Sequence, residues 1–233
     1  MLGHALDINP THSERNYAVM STSTSPERTS APSRRRATPP AVAVLVVESD
    51  GWLASRLCDL MQAEPGFRLA AAVAGADEAV SMARRERFEI AVIGHRPPAE
   101  SAFRLCRELK RTPAPPAVVI CCARPDGVDA ACCAVVTADA LVSMYDCDAE
   151  LAGALDRVAR GVRFLPAVPP ATGAMLRDCL EPAEYALFGM LLAKLPAADI
   201  ASALRMSVAE LESQRAALLG KLETLPAIPE ACC

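Results

Sequence analysis

The sequence predicts an α/β fold: a doubly wound domain on a parallel five-stranded sheet, followed by a small all-α domain. Three observations carry this. Between residues 41 and 162, five short apolar runs alternate with five amphipathic stretches. Such alternation implies a parallel sheet with helices on both faces. After residue 180, three amphipathic stretches follow without a further strand signal, and residues 163–179, with Pro166, Pro169 and Pro170, read as the linker between the two parts.

Each element has its own signature. Val42–Val47 is a continuous apolar run, as expected of a strand covered on both faces, and Phe67–Val73, Ile90–Ile93, Ala117–Cys122 and Ala140–Val142 supply the other four strands. Trp52–Met61 places Leu53, Leu57, Leu60 and Met61 on one helical stripe. Ala76–Arg85 and Ala99–Leu109 follow as helices, Val128–Ala134 is a weaker one, and Glu150–Val162 closes the domain with Leu151, Leu155 and Val158 on one face. Beyond the linker, Pro182 suits the first turn of a helix, where a missing N–H costs nothing, and helices are predicted over Ala183–Ala193, Ala197–Leu204 and Val208–Leu222. Ser207 and Glu210 form a capping box at the start of the last one. Residues 1–40, rich in Ser, Thr, Pro and Arg, read as a disordered tail in which either Met1 or Met20 serves as the start, and residues 224–233 as a second tail.

Composition narrows the function classes. A hydrophobic fraction of 52% supports real cores, and aromatics at 4% leave Ala and Val to fill them. The net charge of −4 excludes a uniformly basic nucleic-acid coat. No apolar run reaches the ~18–20 residues of a spanning helix, and no secretory leader is evident, so a cytoplasmic location is expected. The ten cysteines contain no Cys-x-x-Cys pair and face no zinc-like His spacing. They are expected to serve mainly as small core hydrophobes in a reducing compartment, with no metal and no cofactor. Two of the three histidines, His4 and His12, fall in the N-terminal tail, and no nucleophile–base or paired-carboxylate set stands out, so an enzyme is not expected.

The stretch Glu89-Ile-Ala-Val-Ile-Gly94-His-Arg-Pro-Pro98 resembles the third strand of a response-regulator receiver domain, and residues 42–162 keep the spacing of that framework. The C-terminal part resembles the LuxR-type helix-turn-helix, through Leu180, Pro182, Glu184, Leu187, Leu191, Asp199-Ile200-Ala201, Leu204, Ser207, Leu211, Leu218 and Lys221-Leu222. The chain is therefore similar to NarL/FixJ-family response regulators, over a receiver-like, flavodoxin-like domain at 41–162 and a helix-turn-helix domain at 180–223. The resemblance implies four functional positions in the receiver: an acidic pair, here Glu48 and Ser49; the phospho-acceptor, here Gly94; a Thr/Ser position, here Cys122; and a Lys position, here Met144. In the family this set binds Mg²⁺, accepts a phosphoryl group and stabilises its charge. Only Glu48 keeps its charge here. Asp50 does not restore the site, because the acceptor itself is missing. His95 is no substitute, since adjacent side chains on a strand point to opposite faces.

The resemblance implies DNA binding by the last helix, with Ser213, Gln214, Arg215, Ala217 and Lys221 as the candidate contacts. Gln pairs well with adenine and Arg with guanine, while Leu211, Leu218 and Leu222 form the buried stripe. The module is acidic, with four cations against five carboxylates between 180 and 222, and so starts at a disadvantage in contacting phosphates. Two functions follow. One is an atypical, phosphorylation-independent transcriptional regulator whose pseudo-receiver dimerises, through its fourth and fifth segments or closing helix, or senses a small-molecule ligand. The other is a protein that does not bind DNA and acts as an antagonist or heterodimer partner of related regulators.

Overall fold

The computed structural model describes residues 41–96, 101–144 and 147–225, except for the side chains of residues 147–149. The Arg34–Arg36 run, Pro98, Cys232 and Cys233 lie outside the described residues. Five parallel strands, β1 (Val42–Val47), β2 (Phe67–Val73), β3 (Ile90–His95), β4 (Ala117–Cys122) and β5 (Ala140–Ser143), form one sheet in the order β2-β1-β3-β4-β5. They alternate with α1 (Gly51–Ala63), α2 (Ala76–Arg85), α3 (Ala102–Leu109), α4 (Gly127–Val136) and α5 (Cys147–Ala159). The winding of the parallel strands reverses between β1 and β3, where a doubly wound fold opens its crevice.

Two apolar layers cover the sheet. Leu53, Leu57 and Met61 of α1, with Leu151, Leu155 and Val158 of α5, pack on Val44, Val46, Val92 and Val119. The opposite face, with Leu45, Ile93, Val118 and Ile120, is covered by α2, α3 and α4. This second layer does not end at the receiver-like domain. It runs on without a break into Leu176, Leu187, Phe188, Leu191, Leu211, Leu218, Leu219 and Leu222 of the C-terminal helices.

Those helices are α6 (Pro170–Cys179), α7 (Pro182–Leu192), α8 (Ala197–Ala203) and α9 (Val208–Glu223). Helix α6 occupies most of the stretch read from its prolines as a linker. Pro170 sits in the first turn, where proline is pre-organised for a helix rather than a breaker. Thr172 and Leu176 bury its inner face. Capping boxes start α7 (Glu181 with Glu184) and α9 (Ser207 with Glu210).

Helix α4 has one charged residue, Asp129 in its first turn, and eight of its ten residues are buried. A helix without a polar face is covered on both sides. Here the sheet lies on one side and α7 and α9 on the other. The expectation that the fourth segment offers a self-association surface therefore fails in this arrangement, because α9 already occupies that face.

Candidate functional site

Strand register brings the receiver positions together at the crevice. Val47 pairs with Ile93, so Glu48, one residue on, lies beside Gly94. Cys122 pairs with both His95 and Ser143, and the Met144 N–H donates to the Cys122 carbonyl at 2.7 Å. Glu48 is buried, its Oε1 accepting the Asp50 N–H at 2.8 Å, while its Oε2 is buried without a hydrogen-bond partner among the described residues. A Cβ on residue 94 would lie 1.7 Å from that Oε2, 2.8 Å from the Glu48 Cδ and 3.5 Å from the Met144 methyl. The Glu48 carboxylate thus fills the space where an acceptor side chain would begin. The glycine is required by the close approach of Glu48.

The remaining groups do not assemble a cation site. Asp50 is the N-cap of α1, accepting from the Leu53 N–H at 3.0 Å through Oδ1, and its Oδ2 takes the Arg96 guanidinium at 2.6 Å. The backbone donor and then Arg96 hold its carboxyl below the usual value. Ser49 is exposed. A hard divalent cation needs several oxygens converging at 2.0–2.6 Å. Here one carboxylate is capped and paired with a guanidinium, and the acceptor oxygen is absent, so the residues present do not fit Mg²⁺. The cleft over these groups is small, about 210 Å³.

His95 points to the other face, as its strand position dictates. Its ring packs on Phe103 in a tilted arrangement with centroids 4.5 Å apart, and its Nε2 lies 3.9 Å from Asp129 Oδ1. Burial lowers its pKa, against the opposing fields of Glu223 and Asp126, which keeps it neutral. Five of the described cysteines are core atoms, while Cys58 is half-buried and Cys179 exposed. Cys121 faces the α1/α5 layer and Cys122 the α2–α4 layer. Cys106, Cys132 and Cys133 are buried beside Cys122, and burial raises their thiol pKa values, to about 12 for Cys106. Among the described residues no three His, Cys, Asp or Glu side chains are grouped to hold a metal ion, and no helix is long and apolar enough to cross a membrane.

Helix α9 has three faces. Leu211, Leu218 and Leu222 form the buried stripe inside the C-terminal helices, as the periodicity predicts. Ser213, Gln214, Ala217 and Lys221 are exposed. Arg215, placed by sequence among the exposed contacts, is instead buried against α4. Its Nη2 and Nε donate to the Val135 carbonyl at 2.6 and 3.1 Å, and its Nη1 to Glu212 at 2.6 Å. Sequence periodicity missed this because α4, distant in sequence, covers it rather than the helix's own stripe. Lys221 pairs with Glu184. At the C-terminal end of α9, Glu223 accepts from Arg104 of α3 at 2.8 and 3.0 Å and from the Ser101 hydroxyl. At the other end of α4, Gly127 meets the linker so closely that a Cβ would lie 2.1 Å from Thr172 Oγ1 and 2.9 Å from the Pro169 ring.

Helix α4 packs along the flank of α9 that carries Arg215, while Ser213, Gln214, Ala217 and Lys221 lie on the exposed side.

No family model matches the sequence, and no curated protein is similar to it in sequence. Solved structures do share the fold. The response regulator RcsB in complex with DNA is 13% identical over 80% of this chain and 94% of that chain, with a TM-score of 0.51. A structure of two RcsB dimers bound to two parallel DNAs gives 12% identity, the same coverages and a TM-score of 0.50. A LuxR-family two-component response regulator from Aurantimonas sp. SI85-9A1 is 18% identical over 59% of this chain and 96% of that chain, at a TM-score of 0.50. The fold is that of NarL/LuxR-family response regulators.

Proposed function

We propose that this chain is a cytoplasmic, response-regulator-like transcriptional regulator that works without phosphorylation, with DNA bound by α9 once it leaves α4. The observation that carries the reading is the Glu48 carboxylate lodged in the acceptor space at Gly94. A receiver built this way has no atom to phosphorylate. Its output helix is nonetheless docked where a conformational signal could release it. Two-fold pairing of helix-turn-helix modules, which palindromic sites require, then falls to α5 and the outer surface rather than to α4. Incubation with acetyl phosphate, followed by intact mass and Phos-tag electrophoresis, tests the reading. No acid-labile adduct is expected on 42–162, and an adduct there overturns it.

A second reading, a partner protein that never binds DNA, is favoured by one feature of α9. Both of its cations are engaged within the chain, Arg215 with Val135 and Glu212, Lys221 with Glu184, while Glu210 and Glu212 lie near the surface DNA would approach. A low-salt gel shift with Glu212→Lys separates the two. That variant removes a repelling charge and should strengthen non-specific binding, with Gln214→Ala weakening only specific binding. No detectable DNA binding even by Glu212→Lys favours the second reading.

A further inference from the structure

A groove of about 1270 Å³ runs between α2, α3, α4 and the end of α9, and neither reading above uses it. Helices that cross back over a parallel sheet start at the C-terminal ends of the strands, so the groove's two ends differ in charge. The starts of α2 and α4 bring Asp77, Asp126 and Asp129 to one end, while Arg84 and Arg85 lie at the far end of α2. At the acidic end, Glu223 is answered by Arg104. Asp126 and Asp129 have only their own helix: Asp126 Oδ1 accepts from the Val128 and Asp129 N–H groups, and Asp129 Oδ2 from the Asp126 N–H. Among the described residues no Lys or Arg pairs with either, and the neutral His95 at 3.9 Å supplies no charge. Burial, opposed by the Asp126 N–H and reinforced by the Asp126 charge, pushes the Asp129 pKa up to about 6. Beside these carboxylates the groove is lined by apolar Phe103, Val80, Val128 and Cys132.

We propose that this end of the groove binds a small amphipathic organic cation, an arylalkylammonium, with its ammonium on Asp126 and Asp129 and its ring against Phe103. The charge complementarity and the aromatic wall select this class over anions or purely apolar molecules. Leu222, Glu223 and Leu225 form part of the same groove, so a bound molecule that also touches them favours the packing of α9 on α4. By linkage, such a ligand stabilises the closed arrangement and lowers DNA affinity. This second step rests on the regulator reading above; the binding step does not.

The test is calorimetric titration of the full chain at pH 8 with tryptamine and, as a like-shaped anion, indole-3-propionate, with melting curves confirming that each variant is folded. Tryptamine should bind saturably and about tenfold or more tightly than the anion. Asp129→Asn should weaken it about tenfold, Val80→Trp, which sets a large ring over the apolar wall, should weaken it by a similar factor, and binding should fade as the pH falls through 6 and Asp129 takes up a proton. The site is overturned if indole-3-propionate binds as tightly, if tryptamine gives no heat up to about 10 mM, or if both variants bind tryptamine like the parent. Tryptamine binding by a chain that never shifts DNA upholds the site and sinks the regulator reading. DNA binding without tryptamine binding does the reverse.

Discussion

Gly94 and Glu48 account for each other. The glycine leaves a space beside the end of β1, and the glutamate fills it with a carboxylate oxygen that has no hydrogen-bond partner among the described residues. Gly94→Asp therefore sets a second carboxylate against a buried first one. It should lower stability by about 1–3 kcal/mol through overpacking, with charge repulsion added. Glu48→Ala in the same chain should recover most of the loss, and a double-mutant cycle by urea denaturation reads the coupling. Asp129 makes a second prediction, with a definite sign. Its carboxyl binds a proton more tightly in the folded chain, at about 6 against an ordinary value of 3.8. Its ionised form is thus a cost to the folded state above pH 6 and no cost below about 4. Asp129→Asn, which keeps an oxygen for the Asp126 N–H, should melt above the parent at pH 8, and the gap should shrink as the pH falls through 6 and vanish below about 4. The absent acceptor was legible in the sequence because strand spacing fixes which residue ends β3. The filling of its space by Glu48 was not, because spacing gives a position in the register and not the direction of a side chain.

At the scale of elements, α4 holds the two halves together. Its weak amphipathic signal in the sequence has a physical cause: a helix covered by a sheet and by other helices needs no polar face. Strands and helices of the sheet domain were legible because each carries the apolar pattern of its own burial. Helix α6 was not, because Pro169 and Pro170 suggest a break until the second is seen to occupy a first turn. Arg215 was misplaced for a related reason, since its cover comes from α4, some eighty residues away in sequence. Gly127 tests the junction. A methyl group there would meet Thr172 and the Pro169 ring, and neither is the tip of a flexible chain. Gly127→Ala should cost about 1–3 kcal/mol and loosen α6 from α4, seen as faster amide exchange in α6 and α9 while β1 and β3 stay protected.

For the whole molecule, the proposed function makes the chain a two-state device in which α9, packed here against α4, is released without acceptor chemistry. Arg104→Glu turns the attraction to Glu223 into repulsion from the α3 side and leaves α9 unaltered. Fluorescence anisotropy of a labelled DNA duplex at low salt, with the parent chain and Arg104→Glu, each with and without acetyl phosphate, is the direct test. The account predicts that acetyl phosphate changes neither affinity and that Arg104→Glu binds several-fold more tightly than the parent. Tighter binding by the parent chain after acetyl phosphate treatment would contradict it.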